Sequence, residues 1–122
     1  MYCKSQHTKY MKKYRQNNKQ VRLKDLLSNR VRRYIFGQSN SLATCNLIGC
    51  NRRGIRLHIK SQFSKGMRWS NYGEWHIDHI IPCCVFDLTK IEQQKRCFNY
   101  KNLQPLWAKD NIIKRNKLGG HI

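Results

Sequence analysis

The sequence predicts an α+β fold, with helices in the first half of the chain and two short strands in the second. Three observations predict it. Apolar residues recur at helical spacing in residues 23–36 and again in residues 51–63. Residues 75–81 begin by alternating apolar and polar side chains, as a half-buried strand does. Residues 64–73, which separate the two regions, are rich in the Gly, Ser and Asn of loops.

Residues 1–22 are predicted to form a basic tail. They contain seven basic residues and no acid, and the rest is largely Gln, Asn and Tyr. Such a segment buries too little apolar surface to offset the entropy lost on ordering. We expect it to be disordered or to become ordered on an acidic partner, with a purely solubilising role as the alternative.

Two helices are predicted in residues 23–63. Gly37 follows the first at the position where a glycine commonly ends a helix. The second is predicted from Asn51 to Phe63, because the Asn51 side chain can accept a hydrogen bond from the first turn. Gly54 inside it disfavours the helix by about 1 kcal/mol relative to Ala. Both helices could contact a partner or support the core.

Residues 64–122 are predicted to contain two short strands. The first runs from Trp75 to Ile81 and is ended by Pro82. The second, Leu103–Trp107, contains Pro105, which has no backbone N–H group and therefore restricts the strand to a sheet edge.

Two short helices are predicted around the second strand. Thr89 and Glu92 have the T-x-x-E spacing of a capping box, which predicts a helix ending near Phe98. Asp110 has a side chain suited to an N-cap and predicts a last helix, 111–117.

The charge of the chain indicates a polyanionic partner. Twenty-five Lys and Arg residues against six Asp and Glu residues give a net charge of +19. Residues 1–73 hold 17 basic residues and one acid, whereas residues 74–122 hold eight basic residues and five acids. Such an excess favours nucleic acid over an anionic membrane, because the basic segments lack a strong apolar face. No apolar run approaches the roughly 20 residues of a membrane helix.

The stretch GEWHIDHIIP, residues 73–82, gathers scarce polar groups beside one another. In a strand, His76 and Asp78 point to one side and His79 to the other, unless the strand bends or ends there. A carboxylate oxygen suits a hard divalent ion such as Mg²⁺, and a neutral imidazole can accept a proton from water. The alternative is a half-buried strand whose polar face happens to carry these residues.

Several stretches in register resemble the HNH endonucleases, most closely the free-standing homing type of phages, large viruses and organelles. They are GMRWSNYG, WHIDHIIP, KNLQPLW and KDN, with weaker similarity through LIGC and HIKSQF. The strong resemblance covers residues 66–111. It implies a small ββα-metal core, also called a His-Me finger, in residues 64–122, preceded by helices and a basic tail.

The resemblance also implies roles for individual residues. His79 would be the general base, and Asp78 beside it a metal ligand. Asn102 would hold the loop between the strands and so orient the base. Asn111 would be the second metal ligand. His76, on the face of Asp78, would contact the metal or the phosphate, or simply belong to the strand.

The implied function is metal-dependent hydrolysis of phosphodiester bonds in DNA, by nicking or by double-strand cleavage. One divalent ion, Mg²⁺ or Mn²⁺, is expected, because Arg115 stands where some members have a further histidine ligand. An inactive DNA-binding module derived from such an enzyme is the alternative. A third hypothesis is a nuclease of the toxin type or one directed at RNA.

Double-stranded DNA is therefore the expected partner of a soluble, intracellular monomer or homodimer of viral, phage or organellar type. No signal peptide or membrane contact is expected. The tail would contact DNA, and seven further basic residues are the predicted DNA contacts: Arg30, Arg32, Arg33, Arg52, Arg53, Lys114 and Arg115.

The cysteines and tryptophans are predicted to be mainly structural. Cys45 and Cys50 form a C-x₄-C spacing, and Cys83 and Cys84 are adjacent, but no C-x-x-C pair is present. A structural zinc is therefore not expected, and the thiols are interpreted as small apolar groups. Three tryptophans are assigned to the core rather than to base stacking: Trp69, Trp75 and Trp107.

Overall fold

The structure, a computed structural model, describes residues 18–111. Its elements in chain order are α1 (Lys19–Ile35), α2 (Leu42–Ile48), α3 (Arg52–Lys60), β1 (Trp75–His79), α4 (Ile91–Phe98) and β2 (Leu103–Trp107). A further helix, α5, begins at residue 108 and continues to residue 111, where the description stops. The predicted α+β class is confirmed. No helix in residues 18–111 is long and apolar enough to cross a membrane.

Helix α1 begins four residues before the predicted start, and both of its ends are capped. The Asn18 side chain accepts a hydrogen bond from the N–H of Val21 at 3.1 Å. The predicted end of the basic tail, residue 22, therefore falls inside this helix, while residues 1–17 lie outside the described part of the chain. Gly37 adopts a φ of +79° and donates its N–H to Tyr34, which confirms the predicted glycine end.

Helix α2 was not predicted, because seven residues are too few for its periodicity to stand out. Ser41 caps its start by accepting from the Thr44 N–H, and Gly49 ends it at a φ of +85°. Helix α3 begins as predicted, with the Asn51 oxygen accepting from the Gly54 N–H at 2.9 Å. It ends three residues before the predicted Phe63.

Strands β1 and β2 form an antiparallel ribbon in which both are edge strands. The register pairs Trp75 with Trp107, and His79 with Leu103. Strand β2 has the predicted bounds, and Pro105 is tolerated because no third strand within residues 18–111 requires its missing N–H. Strand β1 ends at His79 rather than at Ile81, and the chain bends at residues 80 and 81.

The two remaining helix starts differ from the prediction. The Thr89–Glu92 capping box does not form, because the Thr89 hydroxyl donates instead to the Asp87 carboxylate at 2.6 Å. Helix α4 still ends at Phe98 as predicted. Helix α5 begins at residue 108, so Asp110 lies within its first turn and is not its N-cap. Residues 112–117 of the predicted helix lie outside the described range.

The core lies between the helices and one face of the ribbon. Trp75 is 0 % exposed, and its ring contacts those of Phe63, Trp69 and Tyr72 edge-on. Its indole N–H donates to the Arg68 carbonyl at 2.7 Å. Trp69 and Trp107 are partly buried against the same core, so the predicted packing role of the tryptophans is confirmed. This packing fixes which face of β1 points inward.

One side chain of α1 ties the connection between the strands to the helices. The Gln20 amide N–H donates to the Phe86 carbonyl at 2.8 Å, and the Gln20 oxygen accepts from the Leu88 N–H at 3.0 Å. These bonds hold the segment that follows the β1 bend against the start of α1.

Candidate functional site

The end of β1 carries its polar residues on two different faces. Trp75, Ile77 and His79 share the inner face, where Trp75 anchors the strand in the core. His76 and Asp78 lie on the outer face, and both are half-buried. The structure therefore separates His79 from Asp78 across the ribbon, with the bend beginning only after His79.

Asp78 is positioned by the residue opposite it on β2. The Gln104 amide donates to the Asp78 carboxylate at 3.0 Å, and the two residues face each other in the strand register. This contact fixes the orientation of the carboxylate. It was missed from the sequence, although a polar residue facing an acid across a predicted hairpin is the signal that could have indicated it. His76 packs its ring edge-on against Tyr72, with the centroids 5.7 Å apart.

His79 is half-buried and lies against α4 and the turn after the bend. Its ring meets Phe98 edge-on, with the centroids 4.7 Å apart and the planes at 88°. The Nε2 atom is buried, and the imidazole hydrogen-bonds the thiol of Cys83. The packing restricts the ring to one orientation.

Two buried thiols complete the surroundings of His79. The Cys97 thiol donates to the Cys83 sulfur at 3.4 Å. This bond, together with the weaker effect of the bond to His79, lowers the pKa of Cys83 to about 5 against the opposing effect of burial. The same pairing and the same burial raise the pKa of Cys97. The hydrogen bond between the two sulfurs therefore favours the ionised form of Cys83 over that of Cys97.

This cluster is not apparent from the sequence. Its spacing is H-x₃-C-x₁₃-C, which matches no common metal or redox motif. Only the packing of α4 against the turn brings the second cysteine to the first.

Asn102 fixes the bend that follows His79. Its side-chain oxygen accepts from the Ile81 N–H at 2.8 Å, and its amide N–H groups donate to the carbonyls of Ile81 at 3.1 Å and Cys97 at 2.8 Å. Its own carbonyl accepts from Ile80 at 2.8 Å. The residue is 8 % exposed. One side chain thus connects the bend to α4 and to the start of β2.

Asn111 lies in the first turn of α5 and is half-buried. The helix begins at the Trp75 end of the ribbon, where the Ala108 N–H donates to the Glu74 carbonyl at 2.9 Å. Asp78 faces Gln104, which lies three residues before the end of β2. Along the chain, Asn111 follows Gln104, the residue that faces Asp78, by seven residues.

The predicted basic residues divide into structural and exposed groups. Arg52 donates to the carbonyls of Tyr34 and Ser39 and so supports the end of α1. Arg30 contacts the Thr44 hydroxyl at 3.4 Å. Exposed residues among the predicted contacts are Arg32, Arg33 and Arg53. Lys114 and Arg115 lie outside the described residues.

Two open basic grooves lie on the surface. One, of about 610 Å³, runs along α3 and includes Arg56, whose guanidinium lies 4.0 Å from the centre of the Trp69 ring. Its lining residues are Arg52, Arg53, Arg56, Leu57, Lys60 and Trp69. The other, of about 500 Å³, lies beside the bend. Its basic lining residues, none of which the sequence analysis selected, are Lys95, Arg96 and Lys101.

Two proteins of Acanthamoeba polyphaga mimivirus, both named as uncharacterized, are similar to this chain. One is 38% identical over 98 residues, covering 80% of this chain and 43% of the viral protein. The other is 37% identical over 106 residues, covering 86% of this chain and 46% of the viral protein. The chain thus spans less than half of the curated relatives it matches. No family model and no solved structure matches it. The viral source of both relatives agrees with the predicted viral type.

Proposed function

We propose that this chain is a metal-dependent DNA endonuclease of the HNH type, built on a ββα-metal core. One observation carries the proposal. The ribbon is followed directly by a helix, with Asp78 and His79 in the last two positions of β1 and Asn111 in the first turn of α5. Asn102 bridges the bend between the strands. The charge of +19 supports a polyanionic substrate.

His79 is assigned the role of general base. In this role the imidazole would take the proton from the attacking water. The Phe98 ring and the Cys83 sulfur hold the imidazole in place, and Asn102 holds the bend beside it. A base at this position contributes about 10²–10⁴-fold to the rate.

Asp78 and Asn111 are assigned as ligands of one divalent cation. Carboxylate and amide oxygens are the donors that Mg²⁺ and Mn²⁺ prefer, and the Gln104 amide orients the Asp78 carboxylate. When bound, the cation supplies positive charge that stabilises the phosphate during cleavage. His76, on the same face as Asp78, is assigned to contact the phosphate.

Exposed basic side chains of α1 and α3 are assigned to the DNA backbone. Arg53 and Lys60 in the α3 groove are exposed, and both can reach phosphates without breaking a hydrogen bond that supports the fold. Arg52 and Arg56 are less available, since both donate to carbonyls at the end of α1.

Nicking of supercoiled plasmid with Mg²⁺ or with a chelator tests the proposal. We expect Mg²⁺-dependent cleavage, and we expect Asp78→Asn to abolish it. Glu74→Gln is the matched control, because it removes the same charge from an exposed residue four positions away. Equal cleavage by the two variants, or cleavage that persists in chelator, would contradict the metal assignment.

Binding measured in parallel separates the alternatives. Tight binding of the plasmid without cleavage in Mg²⁺ or Mn²⁺ would indicate an inactive DNA-binding module. Cleavage of RNA in preference to DNA would change the proposed substrate from DNA to RNA and leave the assigned roles of the residues unchanged.

A further inference from the structure

We propose that His79, Cys83 and Cys97 form a binding site for one zinc ion, distinct from the Mg²⁺ site assigned above. The inference does not rest on the proposed nuclease function. It rests on the arrangement of three side chains from three segments: the end of β1, the turn after the bend, and α4.

The geometry of the three groups suits a single ion. One ligand atom from each residue lies within 4.8 Å of the other two. Two sulfurs about 2.3 Å from one zinc at a tetrahedral angle lie about 3.8 Å apart. The Cys83 and Cys97 sulfurs are 3.4 Å apart, so a small separation brings them to that distance. Three protein ligands leave one position, which water can fill.

The chemistry of the three donor side chains favours Zn²⁺. Two thiolates and an imidazole are soft to borderline ligands, which favour Zn²⁺ over the Mg²⁺ that oxygen ligands bind. Cys83 is 5 % exposed and Cys97 is 0 % exposed, so the sulfurs are shielded from competing solvent. Because zinc binds thiolates, its binding would release the thiol protons and replace the hydrogen bond between the two sulfurs.

The proposed site differs from the expectation, drawn from cysteine spacing, that the chain holds no structural zinc. That expectation considered pairs of cysteines close in sequence, Cys45 with Cys50 and Cys83 with Cys84. In the fold, Cys84 is exposed, while Cys83 is paired with a residue of α4. A metal here would link the bend to α4, at the same place where Asn102 already does so.

Zinc at this site and His79 acting as a base exclude each other. A metal on one ring nitrogen leaves the other protonated, so the imidazole can no longer accept a proton from water. Zinc would therefore inhibit Mg²⁺-dependent cleavage. Cys97→Ser would weaken that inhibition.

Titration of the whole chain with Co²⁺ alone, after removal of metals and under reducing conditions, tests the site. We expect the near-ultraviolet absorption of a thiolate–Co²⁺ bond, saturating at one ion per chain and lost when Zn²⁺ is added. Cys83→Ser and Cys97→Ser should each lose most of it. Cys84→Ser is the matched control, because it removes the adjacent exposed thiol, and it should retain the absorption in full.

X-ray absorption of the zinc-loaded wild-type chain provides a readout that needs no variant. We expect two sulfur ligands near 2.3 Å together with nitrogen or oxygen ligands. No thiolate absorption in the wild type, or absorption that is lost with Cys45 or Cys50 instead, would overturn the proposal. Zinc binding, together with no plasmid cleavage by the zinc-free chain in Mg²⁺, would leave this site standing and reject the nuclease. Cleavage by a chain that binds no zinc would do the reverse.

Discussion

His79 shows what a local motif can and cannot predict. The sequence identified the imidazole and the neighbouring carboxylate, and strand alternation correctly indicated that they point to opposite faces. It could not indicate the two sulfurs around the imidazole, because Cys97 comes from a helix 18 residues further along the chain. It also missed Gln104, whose contact with Asp78 depends on the exact strand register. Contacts set by packing or register are not legible from residue types alone.

Replacing each histidine of the motif separately tests the base assignment. We expect His79→Ala to lower the cleavage rate by about 10²–10⁴-fold while DNA affinity changes little. His76→Ala should have a smaller effect on the rate, since His76 is assigned to contact the phosphate and not to accept the proton. Single-turnover nicking rates and DNA binding by each variant provide the comparison. A His79→Ala variant that cleaves at the wild-type rate would refute the assignment.

Asn102 is expected to be a major determinant of stability at the bend. Asn102→Asp replaces an N–H donor with an oxygen that faces the Ile81 and Cys97 carbonyls. We expect a loss of about 2–4 kcal/mol in the free energy of unfolding, because buried acceptors would lose their partner and a charge would be introduced. Urea denaturation measures it.

Asn99→Ala is the control for this experiment, since within residues 18–111 the Asn99 side chain accepts one hydrogen bond, from the exposed Lys101 N–H at 3.0 Å. Its effect should stay near 1 kcal/mol, as for an ordinary cap. Similar losses in the two variants would mean that the Asn102 bonds do not hold the bend.

At the scale of elements, the caps at Asn51 and Gly37 were predicted correctly, whereas the Thr89–Glu92 capping box and the Asp110 N-cap do not form. Asn51 and Gly37 lie where their side chains or backbone freedom are needed, because capping depends on one residue and its immediate neighbours. Helix α2 was missed, and β1 was predicted two residues too long. The apolar Ile80 and Ile81 extended the strand pattern, whereas Asn102 binds this segment in a bend. Tertiary hydrogen bonds, not local preference, end the strand.

Two glycines with the same backbone conformation provide a matched test of packing between elements. Gly49 and Gly37 have φ values of +85° and +79°. A Cβ atom at Gly49 would lie 2.9 Å from the Asn99 amide nitrogen, whereas one at Gly37 would meet nothing within 4 Å. Both Ala variants should lose about 1–2 kcal/mol from the left-handed conformation.

Gly49→Ala should lose more than Gly37→Ala, because the Asn99 side chain must move and its bond to the Lys101 N–H is then disturbed. Thermal or urea unfolding of the two variants gives the difference. Equal losses would show that α2 does not pack closely against the segment after α4.

At the scale of the whole molecule, the sequence pattern correctly predicted the α+β class, and the polyanionic partner indicated by the composition stays a prediction. The net charge of +16 in residues 1–73 and +3 in residues 74–122 follows directly from residue counts. The sequence did not predict which basic side chains remain available to contact a ligand. Arg52 and Arg56 bind carbonyls at the end of α1, so part of the basic charge supports the fold rather than a ligand.

The high positive charge predicts that DNA affinity depends steeply on salt concentration. Substitution of two lysines, one in the α3 groove and one outside it, tests whether the groove causes this dependence. Each phosphate neutralised contributes about −0.9 to the slope of log K against log salt concentration. Lys60 lines the α3 groove, whereas Lys90 lines neither groove, and both are exposed. Lys60→Gln should reduce the steepness of the slope by about 0.9, the contribution of one phosphate, while Lys90→Gln should leave it nearly unchanged.

Fluorescence anisotropy with a short duplex, measured over a range of salt concentrations, gives both slopes. The two variants carry the same net charge, so any difference between them reports position and not total charge. If the two substitutions reduce the steepness of the slope equally, the chain binds DNA through its total positive charge, and the α3 groove is not the interface. If only Lys60→Gln reduces the steepness, the duplex lies along the α3 groove. Its position relative to Asp78 and His79 then follows, since α3 packs against β2, the strand paired with β1.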